Sequence, residues 1–250
     1  ISLVREGNVT FTPDEYPFMF IWRIDTPSGT RHQMVPPWNL TVDGTPIRDL
    51  YRDGKAHVEG GIYMAVASVR EGQYVNFFGL GTGLSAWPVV GPLTIVFGDW
   101  HDHQRLLWHV GKGIAAAYAA GSAVLLFLIA GSMTRRRNAL LLALAYGLGT
   151  CVWSTSSQGL LQHAPNEFFL ALGTLFLTRL DRGRRYAAYA AAAYSWAVWC
   201  RPTSALVVVC VVAYLVWKDR RALAPFLVTG LPFALLLAAY NTYYLGSPFR

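Results

Sequence analysis

Arginine and lysine cluster in every second gap between the long apolar runs that follow residue 107. The clusters lie at residues 135–137, 179–185 and 218–221. The alternate gaps, around Gln158 and around Arg201, carry no such cluster. Short loops rich in Lys and Arg stay on the cytoplasmic side of a membrane. The alternation therefore predicts a multi-pass membrane protein whose three clusters face the cytoplasm.

The composition agrees with this prediction. Hydrophobic residues make up 54% of the 250-residue chain and charged residues 14%, whereas about a quarter of a soluble domain is charged. The net charge of +7 comes from cations in gaps between apolar runs, not from one face interleaved with aromatic residues. We therefore expect membrane lipids, and no nucleic acid, among the partners.

Six apolar runs follow residue 107, and we expect each to form a helix across the bilayer. They are residues 108–133, 139–155, 168–180, 186–199, 203–217 and 224–243. Tryptophans near the ends of these runs are typical of the membrane interface; they are Trp108, Trp153, Trp196, Trp199 and Trp217. The predicted fold class is an all-α multi-pass membrane protein with about six transmembrane helices.

Residues 1–107 read as a large extracytoplasmic loop that precedes the transmembrane bundle of residues 108–250. Turn signals such as Asp43-Gly44 and Asp53-Gly54 predict short juxtamembrane helices or hairpins there. The predicted sidedness places the first residue outside, so we expect a membrane helix upstream of this chain. We also expect further spans after residue 250 and place the protein in the plasma (inner) membrane.

The apolar stretch 84–98 is too short for a simple span. A helix of about 15 residues rises only about 22 Å, against a hydrocarbon core of about 30 Å. It also contains Pro88 and Pro92. We predict an interfacial or juxtamembrane element here, and a turn at the glycine-rich segment 79–83.

Asp14 and Glu15 are the candidate carboxylates for general base catalysis. An ionised carboxylate at the outer membrane surface can accept a proton from a hydroxyl nucleophile. The alternative is that Thr12, Pro13 and these acids begin a helix, with Thr12 as its cap. The two interpretations are compatible, because a helix start holds an acid rigidly.

Gln158, His163 and Arg201 are the candidates for binding a phosphate or sugar on the side without clusters. Arg201 is a lone cation between two apolar runs, where it suits bidentate binding of an anion. The alternatives are that the two loop side chains bond to their own backbone, and that Arg201 reaches the outer headgroups.

His101, Asp102 and His103 have residue types that ligate metals, but two histidines without a further clustered ligand are a weak signal. The sequence indicates no cofactor and leaves a divalent cation open.

Several short motifs resemble those of polyprenyl-phosphate-dependent membrane glycosyltransferases of the GT-C class, which includes protein O-mannosyltransferases and lipid A sugar transferases. The motifs are the early acidic pair and residues 53–55, 74–83, 87–88, 153–163, 201–203 and 240–250. The resemblance implies that Asp14, or with less support Glu15, acts as the catalytic base. It further implies that Arg201 binds the donor phosphate, with His163 and Gln158 beside it.

The implied reaction is inverting transfer of a sugar from a dolichyl or other polyprenyl phosphate to a lipid, glycan or protein acceptor. The competing hypothesis is a non-enzymatic membrane protein, either a transporter or a scaffold of an envelope complex. A transporter would place ionisable residues at mid-bilayer. Here the central parts of the apolar runs are almost free of charge, which favours chemistry at the interface.

Overall fold

The computed structural model describes residues 10, 22–33, 41–60, 65–69, 74–76, 79–98 and 103–248. Apart from a few residues at the N-terminus, the chain divides into two compact units, one up to residue 77 and one from residue 78 onward. The predicted boundary at residue 107 separates two sides of a membrane rather than two compact units, and it stays a prediction.

Short strands dominate the described part of the first unit. The elements are β1 (Trp22–Thr26), β2 (Gly29–Gln33), β3 (Thr41–Val42), β4 (Thr45–Pro46), α1 (Ile47–Arg52), β5 (His57–Gly60), β6 (Ala65–Ala67) and β7 (Tyr74–Asn76). β1 lies between β2 and β5, and β3–β4 and β6–β7 form separate antiparallel pairs.

Ile24, Val42 and Ile47 form the small core of this unit. Asp43 and Gly44, at φ 51° and 79°, form the two-residue turn between β3 and β4, as their residue types favour. The hairpins expected in this region are confirmed. The all-α description is wrong for this unit, because its described residues form mostly short antiparallel strands beside one six-residue helix.

Helices make up the second unit. They are α2 (Leu80–Phe97), α3 (Gln104–Gly131), α4 (Arg136–Gly149), a π-helix (Val152–Ser156), α5 (His163–Leu177), a 3-10 turn (Leu180–Arg182), α6 (Arg185–Cys200), a 3-10 turn (Pro202–Ser204), α7 (Ala205–Lys218) and α8 (Arg220–Leu245). Each apolar run predicted after residue 107 contains a helix.

Three helices of the described residues are long and apolar enough to cross a membrane: α2, α3 from Arg105 onward, and α8. The chain is therefore compatible with a membrane protein. The helices α4 to α7 have 14, 15, 16 and 14 residues and rise about 21 to 24 Å, less than the hydrocarbon core. Six spans thus remain a prediction.

Helix α2 differs from the sequence-based expectation. It has 18 residues because it begins directly after Gly79, whose φ of 82° is left-handed, and because Gly81 and Gly83 lie within it. The predicted turn over 79–83 is therefore wrong, and so is the length argument against a span. The Tyr118 hydroxyl donates to the Ser85 carbonyl over 2.9 Å, which joins α2 to α3.

Packing places the three cation clusters at one end of this unit, which we call the cluster end. Leu125 and Ile129 of α3 pack with Leu175 of α5, which brings the end of α3 to the end of α5. Another core cluster includes Ala187, Leu215 and Ala222 and is packed against Leu177. It joins the start of α6, the end of α7 and the start of α8 to the same place.

The tryptophans fall into two groups. Trp108, Trp153 and Trp217 are 59%, 59% and 83% exposed, as interfacial residues would be. Trp196 and Trp199 instead stack on each other with centroids 5.8 Å apart and donate to Ser85 Oγ and the Phe233 carbonyl. These two are half-buried against α2 and α8, and their interfacial role stays a prediction.

Candidate functional site

The predicted site residues have three different outcomes. Asp14 and Glu15 lie outside the described residues, so their predicted role stays untested. Arg201 and His163 lie in contact, at the end of the helical unit opposite the cluster end. We call this end the Arg201 end. Gln158 lies in the loop before α5, but its contacts are within its own loop.

Arg201 occupies the junction between α6 and the following 3-10 turn. Its backbone is extended, with φ −147° and ψ 107°, which is the conformation that a following proline imposes. Its N–H still donates to the Ala197 carbonyl over 2.8 Å. Pro202 therefore ends α6 and turns this side chain away from the helical path.

The Arg201 guanidinium contacts the ring of His163 on the first turn of α5. Nη1 lies 3.4 Å from Nδ1 of His163. A guanidinium can only donate, so a hydrogen bond between the two groups requires Nδ1 to be the acceptor. Among the residues that the structure describes, no carboxylate lies within salt-bridge distance of Arg201. The half-buried Arg201 guanidinium thus contacts a histidine ring and makes no ion pair with the described part of the chain.

Two hydrogen bonds, one buried and one partly buried, fix the segments around this pair. Ser204 Oγ donates to Asn166 Oδ1 over 2.7 Å, and Ser156 Oγ donates to Glu167 Oε1 over 2.7 Å. The second oxygen of Glu167 is buried and has no hydrogen-bond partner among the described groups. Consecutive residues of α5 therefore anchor both loops at the Arg201 end.

Sequence reasoning missed these four residues. Residues 157–165 read as a loop, whereas α5 begins at His163 and places Asn166 and Glu167 on its first turns. The sequence did contain an indication of them. Asn166 and Glu167 stand next to the span predicted at residues 168–180, where burial of a polar group is costly unless the group is paired.

Gln158 lies apart from Arg201 in its contacts. Its amide donates to the Trp153 carbonyl over 3.2 Å and to Ser157 Oγ over 3.1 Å. This is the local backbone bonding that the sequence left open as an alternative. Gln158 also lines a groove of about 480 Å³ between α3, α4 and the π-helix. Its predicted role in binding the donor stays a prediction.

A larger apolar groove of about 610 Å³ lies between α6, α7 and α8. It is lined by Trp199 and Ala205, which flank Arg201 along the chain. Tyr194 and Phe226 also line the groove and belong to the buried core. The groove thus reaches residues close to Arg201 in the sequence, and its apolar lining suits a hydrocarbon chain.

The start of α2 packs directly against the end of α6. A Cβ at Gly81 would overlap the Cys200 nitrogen, and one at Gly79 would lie 2.5 Å from the Trp199 carbonyl oxygen. Only glycine permits this approach, because both obstacles are backbone atoms. The contact buttresses the residue that immediately precedes Arg201.

The weak metal prediction gains no support. His101 and Asp102 lie outside the described residues, and His103 is exposed with its ring 5.5 Å from that of Phe97. Within the described ranges, no three His, Cys, Asp or Glu side chains converge as metal ligands.

Comparisons with family models, curated proteins and solved structures found no match to this chain.

Proposed function

We propose that this chain belongs to an integral membrane glycosyltransferase that takes a sugar from a polyprenyl phosphate and gives it to an acceptor hydroxyl. The observation that carries the proposal is Arg201, a half-buried cation without a carboxylate partner in the described part of the chain. An anionic group that approaches it gains a charge-assisted hydrogen bond and does not have to displace an existing ion pair.

The apolar groove that reaches residues close to Arg201 in the sequence supports a lipid-linked anion over a free one. The side chains that line this groove, such as Trp199 and Phe226, are almost all aliphatic or aromatic. A ligand with a phosphate on Arg201 and an isoprenoid chain in the groove would satisfy both features. The phosphate is the leaving group of the proposed reaction, and a fixed cation stabilises the charge that it acquires.

In the proposed reaction, the acceptor oxygen bonds to the anomeric carbon as the bond from that carbon to the phosphate oxygen breaks. The polyprenyl phosphate leaves with the electron pair. The hydroxyl proton passes to a carboxylate base, which we assign to Asp14, with Glu15 as the second candidate. Attack opposite the leaving group inverts the anomeric carbon.

The proposed topology has six spans after residue 107, the cluster end in the cytoplasm and residues 1–107 outside. Helix α2 is the point at which it can fail, because a crossing α2 would move the preceding residues to the other side. Labelling of Asp53→Cys by a membrane-impermeant maleimide tests this, after Cys151, Cys200 and Cys210 have been replaced. Labelling in intact cells supports the proposed side, and labelling only after permeabilisation contradicts it.

The activity is tested by transfer from radiolabelled polyprenyl-phosphoryl mannose, glucose and arabinose in membranes that contain the protein. We expect one donor to support transfer, Asp14→Asn to abolish it, and Arg201→Ala to reduce it about 100-fold, the upper range for a hydrogen bond to a charged group. Expression and membrane insertion should not change.

Normal transfer by Asp14→Asn would remove Asp14 as the base, and its loss of expression would support the helix-start interpretation. If none of the donors supports transfer, a transporter or envelope scaffold becomes the better account.

A further inference from the structure

Two contacts between α5 and the turn after α6 have matched spacing. On α5, His163 and Asn166 are three residues apart and therefore share a face. On the other segment, Arg201 and Ser204 are also three residues apart. His163 contacts Arg201 over 3.4 Å and Asn166 contacts Ser204 over 2.7 Å, so the turn is attached to α5 at two points.

The Asn166–Ser204 contact is the more buried of the two. Asn166 is 6% exposed and Ser204 is 5% exposed, whereas Arg201 is half-buried. Ser204 also closes the turn, because its N–H donates to the Arg201 carbonyl over 2.9 Å. Without the Ser204–Asn166 hydrogen bond, the 3.4 Å contact between Arg201 and His163 would be the side-chain contact that still joins this turn to α5 within the described residues.

We propose that Asn166, through Ser204, is a positioning residue that holds Arg201 toward a bound phosphate. Without this tie the long Arg201 side chain can swing outward to water and lipid headgroups, as exposed arginines at membrane surfaces do. The inference rests on the proposed function, since it takes a lipid phosphate as the ligand of Arg201.

A hydrogen bond between α5 and α6 provides a control. Thr174 Oγ1 lies 3.0 Å from the Tyr194 hydroxyl and joins α5 to α6 closer to the cluster end. Thr174→Val removes this tie between the helices but leaves the turn that carries Arg201 untouched. A purely structural role for Asn166 predicts the same behaviour for Thr174→Val and Ser204→Ala.

The experiment compares binding of farnesyl phosphate and of uncharged farnesol to the purified protein in nanodiscs. For Asn166→Ala and Ser204→Ala, we expect affinity for farnesyl phosphate to fall about tenfold and affinity for farnesol to stay within twofold. Ser204→Thr keeps the hydroxyl and should retain both affinities, as should Thr174→Val. Arg201→Ala should lower affinity for farnesyl phosphate by more than either positioning variant.

Equal losses for both lipids would overturn the positioning role, and so would the same selective loss in Thr174→Val. A selective loss of affinity for farnesyl phosphate in Ser204→Thr would also overturn the positioning role. This variant keeps the test decisive if Asn166→Ala does not fold. In those cases a selective effect of Arg201→Ala would leave the phosphate site standing. Unchanged binding by Arg201→Ala would overturn both the phosphate site and the positioning role.

Discussion

The two ends of the helical unit carry positive charge in different ways. At the cluster end, Arg135, Arg136 and Arg137 are exposed, and so are most cations of the other two clusters. At the Arg201 end, the two loops hold one cation, which contacts His163 and sits on a turn pinned by Asn166. Exposed, interchangeable cations suit a topological signal, whereas a single cation held in a fixed place suits recognition of a ligand.

Reversal of one charge at each end should separate the two ends most clearly. Arg201→Glu should reduce sugar transfer more than about 100-fold, because like charges facing each other cost several kcal/mol. Arg136→Glu, on the first turn of α4 where an acid is tolerated, should leave transfer nearly unchanged. Transfer is measured in membranes that contain equal amounts of each protein. Equal losses in both variants would remove the distinction between the ends.

A second test concerns the helix contact that supports the Arg201 end. Gly81→Ala forces a Cβ onto the Cys200 nitrogen, and overpacking of this kind costs about 1 to 3 kcal/mol. A Cβ at Gly83 meets no atom within 4 Å, so Gly83→Ala should stabilise the helix by about 0.5 to 1 kcal/mol. Opposite shifts of the thermal unfolding midpoint in detergent are expected. Similar midpoints for the two variants would show that α2 does not pack closely on α6.

Substitution of one packed and one exposed tryptophan should produce smaller changes in stability. Trp196→Phe removes the 2.8 Å bond from Nε1 to Ser85 Oγ and should lower the free energy of unfolding by about 1 kcal/mol. Trp217 is 83% exposed, so Trp217→Phe should leave the unfolding midpoint in detergent unchanged. A larger effect at Trp217 would contradict the division of the tryptophans into packed and exposed groups.

The smallest effect is expected at the cluster end. Arg184 lies 3.8 Å from Asp219, and both side chains are substantially exposed. Exposed ion pairs contribute about 0 to 1 kcal/mol, so Arg184→Ala should shift the unfolding midpoint by less than Trp196→Phe does. A shift above that of Trp196→Phe would show that this end, too, depends on a specific contact.

The apolar runs predicted the helices after residue 103. A long apolar run favours a helix, because a helix satisfies its backbone hydrogen bonds within the same segment. The contact between Arg201 and His163 agrees with the prediction that both residues lie on the same side of the membrane. The ties through Asn166 and Ser156 were not predictable, since each joins segments that come together only in the packed bundle. The turn predicted at residues 79–83 was wrong because glycine is typical both of turns and of close helix packing, and Gly81 serves the second.

The most direct test of the account is the sidedness of the two ends in intact cells. Single cysteines at Gln158 or Thr203, and at Asn138 or Asp181, are introduced after replacement of Cys151, Cys200 and Cys210. An impermeant maleimide should label positions 158 and 203 in intact cells, and positions 138 and 181 only after permeabilisation. Labelling of positions 138 and 181 in intact cells, with 158 and 203 protected, would place Arg201 in the cytoplasm and contradict the account.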